Sequence, residues 1–263
     1  FVDIAEDYNI DVDKIELAIT SRTKAIMPVH LTGRSADMDS INNLAKKHNL
    51  AVIEDSAQAI GAKYKNKRVG SLGTAAGFSL HPLKNLGVYG DAGLISTCDF
   101  ELYSKINRLR NHGLKNRDEC EIWGYNSRLD PMQAAFALVK LKYLDSWNER
   151  HRQIASYYRD NLKNYVWVPE DKSYEESVYH NFVIKLEKRD ELSRYLEQHG
   201  IGTRVHYPIP IHMQACAEEL GYHRGDFPVT ERLAKQILSL PIYPELTDSE
   251  VEYVVNVNHA YWR

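Results

Sequence analysis

The stretch that decides the fold is residues 36–55, ADMDSINNLAKKHNLAVIED. Its first part spaces apolar residues three and four apart with polar residues between them, which predicts an amphipathic helix over 36–49. Its second part, LAVIED at 50–55, is a short apolar run that predicts a buried strand. A helix followed at once by a buried strand is typical of an α/β protein built on a mostly parallel sheet.

The same alternation continues on both sides of this unit. Towards the N-terminus and up to residue 112, the patterns predict helices at 12–20 and 99–112 and strands at 24–31, 77–81 and 93–97. Pro131 opens one long helical stretch over 131–162, because a proline in the first turn gives up no hydrogen bond. A smaller α/β unit with antiparallel pairing follows, with strands at 179–187 and 203–207, a helix at 189–200 and two further helices. We place the boundary between the two units near Asn148.

Composition narrows the class of protein. The chain has 263 residues, 43% of them apolar, which is enough for one large domain or two small ones. Its net charge is only -3 and its basic residues are dispersed among acids, so we expect no binding to nucleic acid or to an anionic membrane. The sequence has neither an apolar run that could cross a bilayer nor a signal-peptide pattern, and we expect a cytoplasmic protein.

The cysteines and histidines predict no metal site. Cys98, Cys120 and Cys216 are far apart, odd in number and in no C-x-x-C arrangement, which fits a reducing compartment. His206 and His212 lie close in sequence, but the prolines between them prevent a shared helical face and no carboxylate stands at ligand spacing.

Asp55 ends the predicted strand 50–55, and in open α/β sheets ligands bind beyond the carboxyl ends of the strands. A buried carboxylate without a partner is costly, so Asp55 requires a cation or hydrogen-bond donors. Two interpretations remain open from this residue alone. Asp55 either binds a cationic ligand, or it forms a salt bridge or caps the residues at 56–58.

Lys84 stands in the glycine-rich segment 77–93, GFSLHPLKNLGVYGDAG. Its neighbours are apolar: Phe78, Leu80, Leu83 and Leu86. Partial desolvation in such a loop would lower the pKa of the lysine and favour the neutral, nucleophilic amine that Schiff-base chemistry needs. The other interpretation is a surface lysine whose ammonium reaches solvent beside a turn.

Four motifs together carry a family resemblance. VIEDSAQAIGA (52–62), FSLHPLKNLGVYGDAG (78–93), RNHG (110–113) and GYNSRLDPMQAA (124–135) resemble, in this order and spacing, the nucleotide-sugar aminotransferases of the DegT/StrS group. These are fold-type I enzymes that use pyridoxal 5'-phosphate (PLP). The resemblance covers essentially the whole chain, and the sequence has no dinucleotide fingerprint or Walker loop.

The resemblance implies a domain organisation. Residues 1–148 would be the C-terminal portion of the large, mostly parallel-sheet PLP-binding domain together with the start of the interdomain helix, and residues 149–263 the small C-terminal α/β domain. The first residues correspond to positions well inside the family's large domain. We therefore expect the N-terminal part, with a phosphate-binding loop and an aromatic residue that stacks on the ring, to be missing.

The resemblance also implies roles for individual residues. Lys84 would form the Schiff base with PLP and, once released, move a proton between substrate and cofactor. Asp55 would pair with the protonated pyridine nitrogen. Gln58, about one helical turn beyond Asp55 and on the same helical face, would reach the ring or its phenolic oxygen. Ser79 would bind the phosphate, and Asn126 would reach the same phosphate from the partner subunit of a homodimer. Without the resemblance, Gln58, Ser79 and Asn126 are ordinary helix-surface, strand and turn residues.

The substrate side is less defined. His81, Arg204, His206 and Tyr207 are candidates for contacts with the sugar or the diphosphate, and a packed histidine or a solvated polar strand explains them equally well. The implied reaction moves an amino group from glutamate to a keto-deoxysugar nucleotide, with the segment 81–90 favouring a 3-keto over a 4-keto substrate. The alternative is a PLP-fold binding or regulatory protein without transaminase activity. The retained lysine favours the enzyme, and the missing N-terminal part favours the alternative.

Overall fold

The computed structural model describes all 263 residues of the chain. Its helices are α1 (Val12–Ala18), α2 (Met38–Lys47), α3 (Phe100–Leu109), α4 (Pro131–Leu141), α5 (Leu144–Leu162), α6 (Arg189–Gln198), α7 (Pro228–Gln236) and α8 (Asp248–Tyr261). Its strands are β1 (Ala25–Ile26), β2 (Ala51–Asp55), β3 (Lys63–Tyr64), β4 (Lys67–Arg68), β5 (Ala75–Ser79), β6 (Gly93–Ser96), β7 (Glu175–Glu176), β8 (Phe182–Lys185) and β9 (Ile237–Leu240).

A four-stranded sheet in the order β1-β2-β5-β6 organises the N-terminal half. The pairs β1–β2 and β2–β5 are parallel, and β6 joins β5 as an antiparallel edge strand. The predicted α/β class with a mostly parallel sheet is confirmed. Because Asp55 pairs with Gly77, the carboxyl ends of β2 and β5 meet at one edge of the sheet.

The unit at 36–55 forms as its pattern predicts. The Asp37 side chain caps α2 by accepting a hydrogen bond from Ser40 N, and it also accepts one from the Tyr64 hydroxyl at 2.9 Å. The buried face of α2, with Met38 and Ile41, packs with β1 and β2 in one apolar core. This packing fixes the position of β2, and therefore the position of Asp55 at its end and of the residues that follow.

A second core lies in the C-terminal half. There β8 and β9 form an antiparallel pair that is covered by α5, α6 and α8. The helix α5 joins the two regions: Leu144 packs under the loop after β5, whereas Ile154 and Tyr158 belong to the C-terminal core. The division at Asn148 therefore falls inside a helix, and it stays a prediction.

Three predicted elements differ from the structure. The single helix predicted over 131–162 is two helices, because α4 ends at Leu141 and α5 begins at Leu144. At the break, the Leu144 side chain packs into the buried cluster under the loop after β5. The strand over 24–31 is only two residues long, because Pro28 cannot donate a ladder hydrogen bond. Residues 203–207 form no strand, and only Arg204 pairs, through a single bridge to Ser239. No helix is both long and apolar enough to cross a membrane.

Candidate active site

Asp55 is the last residue of β2 and is half-buried at the edge of the sheet. Its Oδ1 accepts a hydrogen bond from Ala57 N at 3.0 Å, which is the local capping role. Its second carboxylate oxygen has no partner within the chain, and no lysine or arginine forms an ion pair with it. One oxygen thus stabilises the turn while the other is available to a cationic donor.

Gln58 is buried three residues further on. Its Oε1 accepts a hydrogen bond from Thr32 N at 2.6 Å, and its Nε2 lies 3.4 Å from the Tyr207 hydroxyl. The argument from a shared helical face is wrong, because residues 56–61 form successive turns and no helix follows β2. Gln58 is held instead by the backbone of Thr32, which keeps it next to Tyr207.

Lys84 lies in the loop that follows β5 and is half-buried. Its backbone N donates to the His81 carbonyl at 2.8 Å, while its ammonium forms neither a hydrogen bond nor an ion pair within the chain. Burial lowers the pKa of Lys84 from its ordinary value, and the negative charge of Asp55 opposes this shift without cancelling it. The amine is therefore more easily deprotonated than a surface lysine.

Ser79 ends β5, the strand next to β2, so it stands at the same edge of the sheet as Asp55. Its Oγ accepts a hydrogen bond from His81 N at 3.3 Å, which leaves the hydroxyl proton free to be donated. Asp55, Ser79 and Lys84 thus meet where the two parallel strands end, the position at which open α/β sheets bind ligands.

Two of the four substrate candidates face this region. Tyr207 approaches Gln58, and His206 Nδ1 lies 2.8 Å from Ser239 Oγ. Burial lowers the pKa of His206, with a further contribution from the positive charges of Arg204 and Lys84.

The other candidates are engaged elsewhere. His81 is exposed and its Nδ1 accepts a hydrogen bond from Leu83 N within its own loop. Arg204 is exposed and its guanidinium reaches the adjacent carbonyl of Thr203. Asn126 is also exposed: its Oδ1 accepts from Arg128 Nε at 2.9 Å, and none of its contacts reaches the residues around Lys84. Its assignment to the partner subunit's site stays a prediction.

Sequence reasoning missed a further segment of the site, residues 178–181. Asn181 N donates to the Thr32 carbonyl, and His180 Nδ1 lies 3.2 Å from Oδ1 of Asn85, the residue after Lys84. The segment belongs to a different region of the sequence and carries no motif beyond an isolated histidine, so only the fold brings it to Lys84.

These groups fit PLP, because each has a polar atom that no other residue of the chain binds. Asp55 offers an unpartnered carboxylate oxygen to a ring N–H, Ser79 offers a hydroxyl proton to a phosphate, and Lys84 offers an amine with a lowered pKa. Fold and site together define the class as α/β enzymes that hold PLP at the carboxyl edge of a mostly parallel sheet.

The comparisons define the family. The model of the DegT/DnrJ/EryC1/StrS aminotransferase family matches residues 1–258. The chain belongs to this family, whose aminotransferases use PLP.

Three similar proteins illustrate the range within the family. The chain is 50% identical over 255 residues to a dTDP-3-amino-3,6-dideoxy-alpha-D-galactopyranose transaminase of Aneurinibacillus thermoaerophilus, with 97% of this chain and 70% of the relative covered. It is 47% identical over 268 residues to a pleiotropic regulatory protein of Geobacillus stearothermophilus, with 100% and 72% covered. The crystal structure of S. venezuelae DesV in complex with a ketimine intermediate has a TM-score of 0.96 and 40% identity, with 99% of this chain and 71% of that chain covered.

Proposed function

We propose that the protein is a PLP-dependent aminotransferase that moves an amino group from glutamate to a keto-deoxysugar carried on a nucleotide. The observation that carries the proposal is Lys84, a half-buried amine without an ionic partner, placed at the sheet edge with Asp55 and Ser79. The relative named as a 3-amino-sugar transaminase supports a substrate with its carbonyl at C3 on a dTDP carrier.

The chemistry that bound PLP supplies is a reactive carbonyl carbon and a ring that withdraws electrons from an attached amine. The free carboxylate oxygen of Asp55 would hold the ring nitrogen protonated, and the Ser79 hydroxyl would donate to the phosphate. The Gln58 amide, fixed by Thr32 N, would orient the ring from the side on which Tyr207 lies.

Lys84 has two functions in this scheme. Its lowered pKa keeps a larger share of the amine neutral, which is the form that attacks a carbonyl and the form that accepts a proton. When Lys84 is not covalently engaged, its Nζ would take a proton from the carbon that bears the donor's amino group and deliver it to the cofactor. His206 and Tyr207 would contact the sugar from the other wall of the cleft.

One experiment tests the lysine directly. The purified protein should show visible Schiff-base absorbance, and borohydride followed by peptide mass spectrometry should place the cofactor on Lys84. The variant Lys84→Ala should lose this adduct, whereas Lys63→Ala, at a lysine that is paired with Glu176, should keep it. Attachment to any other lysine would refute the assignment.

A second assay addresses the substrate. Protein converted to the pyridoxamine form by glutamate should transfer the amino group to a 3-keto-6-deoxysugar on dTDP in a single turnover, and more slowly to the 4-keto isomer. Equal rates, or a faster rate with the 4-keto isomer, would contradict the C3 preference. A protein that binds PLP but transfers to neither sugar would contradict the transaminase proposal.

The second candidate function is a regulatory protein without transaminase activity. The specific observation in its favour is the relative named as a pleiotropic regulatory protein. Lys84 favours the enzyme, because a protein that only binds other molecules does not need an amine with a lowered pKa. The single-turnover assay separates the two functions.

We also propose that the protein acts as a homodimer in the cytoplasm, with Asn126 completing the phosphate site of the partner subunit. Support for the dimer comes from α4, which has no buried residue and exposes Met132, Leu138 and Val139. The three cysteines are all free and exposed, which suits a reducing compartment. Analytical ultracentrifugation and cell fractionation test the two statements.

A further inference from the structure

The loop after β5, which carries Lys84, has few contacts of its own with the rest of the protein on the N-terminal side of the lysine. The hydrogen bonds of residues 81–84 stay within the loop and the end of β5, and the three residues before Lys84 are exposed. Asn85 follows, and its side chain bonds to two other parts of the chain. The direction in which Lys84 enters the cleft therefore depends on how Asn85 is held.

The amide of Asn85 is bound at both of its ends. Its Nδ2 donates to Asn148 Oδ1 at 2.9 Å and to the Val178 carbonyl at 3.0 Å. Its Oδ1 lies 3.2 Å from His180 Nδ1, which is the donor of this third bond because an amide oxygen only accepts. The Val178 carbonyl cannot donate, so it determines that the NH2 end of Asn85 faces Asn148.

Asn148 connects Asn85 to the turns that follow β2. Its Nδ2 donates to the Ile60 carbonyl at 3.1 Å, so its Oδ1 is the atom that accepts from Asn85. Ile60 belongs to the same turns after β2 as Gln58. One buried amide thus joins these turns to the loop that carries Lys84.

The surroundings of Asn148 hold its amide in one place. Gly61 has φ +92°, and a Cβ there would lie 2.5 Å from Asn148 Nδ2, so only a glycine lets the amide come this close. The helix α5 is itself anchored on both sides of Asn148. Leu144, one turn earlier, packs in the cluster under the loop after β5, and Ile154 packs in the C-terminal core.

We propose that Asn148 is a positioning residue for Lys84: through Asn85, it holds the loop after β5 at a fixed separation from the turns that carry Gln58. The amine is thereby kept in its half-buried place at the edge of the sheet. That Lys84 is the reactive amine rests on the proposed function. The connection from Asn148 to the lysine loop belongs to the protein alone and is tested without cofactor or sugar.

Release of this loop should change the titration of Lys84 in a known direction. Burial lowers the pKa of Lys84, and this effect outweighs the attraction of Asp55, which raises the pKa. A loop freed from Asn148 would let water reach the ammonium. The pH midpoint of the amine should therefore move upwards, towards the ordinary value of a lysine.

The test replaces the two amides by groups that cannot form these bonds. Asn148→Leu fills a similar volume without a hydrogen bond, Asn85→Ala removes the other partner, and a third protein carries both changes. Asn258→Leu is the matched control, because Asn258 is equally buried at 1% exposure and donates to the Val254 carbonyl of its own helix, α8. The titration of Lys84 is followed on the whole chain, freed of cofactor, by competitive acetylation and peptide mass spectrometry.

In Asn148→Leu, labelling of Lys84 at pH 8, relative to its plateau at high pH, should fall roughly threefold. The fall in Asn85→Ala should be at least as large, and the double variant should match Asn85→Ala because both changes break the same connection. Asn258→Leu should not change the labelling, although both leucine variants lower the free energy of unfolding. No fall in Asn148→Leu, an equal fall in Asn258→Leu, or effects that add in the double variant would overturn the proposal.

A measurement on the unmodified protein covers variants that do not fold. In NMR spectra of the cofactor-free chain, the side-chain amide protons of Asn85 and Asn148 that form these bonds should exchange slowly with solvent. Fast exchange at either residue would overturn the proposal whatever the variants show. Because neither readout needs bound cofactor or sugar, a failure of the proposed transaminase activity is distinguishable from a failure of this inference.

Discussion

At the scale of single residues, the site depends on hydrogen-bonding capacity that the chain itself leaves unused. One carboxylate oxygen of Asp55 accepts a hydrogen bond from Ala57 N and the other has no partner in the chain. The Ser79 hydroxyl accepts a hydrogen bond from His81 N, and its proton is free to be donated. Both residues are half-buried, so a ligand can reach these unused groups. The unused donors and acceptors therefore indicate which atoms of the two residues are available to a ligand.

Asp55→Asn should lower kcat/KM for transamination roughly 150- to 5,000-fold, because loss of a desolvated ion pair costs about 3–5 kcal/mol. The amide can still accept from Ala57 N, so the turn after β2 should persist. The measurement is steady-state kinetics with glutamate and the keto sugar, with a PLP titration alongside.

Asp99→Asn is the matched control for this charge change. Asp99 caps α3 by accepting from Glu101 N and Leu102 N, and asparagine caps helices equally well. Its kcat/KM should equal that of the unmodified protein. An Asp55→Asn protein with unchanged kinetics would contradict the role of Asp55 as counter-ion.

At the scale of elements, β2 is fastened to its surroundings by Glu54, the residue before Asp55. Glu54 is buried and accepts hydrogen bonds from His30 Nε2 and from the backbone N of Gly70, Leu72 and Gly73. His30 Nδ1 accepts from Ala36 N, which places the ring proton on Nε2. The network positions the end of β2, and with it Asp55, from the opposite face of the sheet.

Glu54→Gln should lower the free energy of unfolding at pH 7 by about 2–4 kcal/mol, since one amide cannot satisfy four donors. Burial raises the pKa of Glu54, but the bonds from His30 and the backbone outweigh it, and the pKa lies below the ordinary 4.5. The stabilisation is thus fully present above about pH 4.5 and is lost as the pH falls through the folded-state pKa.

Urea unfolding across the range from pH 7 to pH 3 measures this dependence. The difference between the two proteins should shrink as the medium becomes acidic. Glu252→Gln, at an exposed position of α8, should show no difference at any pH. A Glu54→Gln penalty that did not change with pH would contradict the assignment.

The C-terminal helix α8 provides a second prediction at this scale. Thr247 accepts from Glu250 N, and Glu250 accepts from Thr247 N at 2.8 Å, which forms a capping box. Thr247→Ala should cost about 1 kcal/mol in urea unfolding, whereas Thr247→Ser, which retains the hydroxyl, should cost only a small fraction of that. Equal losses in both variants would show that the methyl group, and not the cap, is responsible.

At the scale of the whole molecule, the proposed homodimer with shared active sites predicts complementation. Lys84→Ala should be inactive, and Asn126→Asp should be nearly so because it adds a negative charge beside the phosphate. In a mixed dimer, the subunit that retains Lys84 would receive an intact Asn126 from its partner. Dissociating and re-associating equal amounts should restore about a quarter of full activity, as two-fold symmetry requires.

Each variant dissociated and re-associated alone provides the control and should remain inactive. Lys84→Ala re-associated with an equal amount of unmodified protein should keep about half of full activity, and about half of that remainder comes from mixed dimers with one intact site. Failure of the Lys84→Ala and Asn126→Asp mixture to gain activity, in a preparation shown by native mass spectrometry to contain mixed dimers, would contradict the partner role of Asn126.

The sequence by itself determined the parallel α/β unit and the family, because both depend on local periodicity and on motifs that are continuous in the chain. It also identified Asp55, because this residue ends a buried strand, and Lys84, because apolar residues surround it in a glycine-rich loop, whereas Ser79 became a candidate only through the family resemblance. It failed at the break between α4 and α5, where no proline or glycine marks the change of direction. It failed again at Gln58, which lies on a turn.

Only the tertiary structure decided what surrounds Lys84. His180 and Asn148 lie far from the lysine in sequence, and no local pattern distinguishes them from other buried polar residues. They approach the lysine loop because α5 and the segment before β8 pack beside it, where both contact Asn85, and the carbonyls of Ile60 and Val178 set the direction of these hydrogen bonds. Such a network depends on distances between separate elements, and those distances are fixed by core packing, which a one-dimensional pattern does not contain.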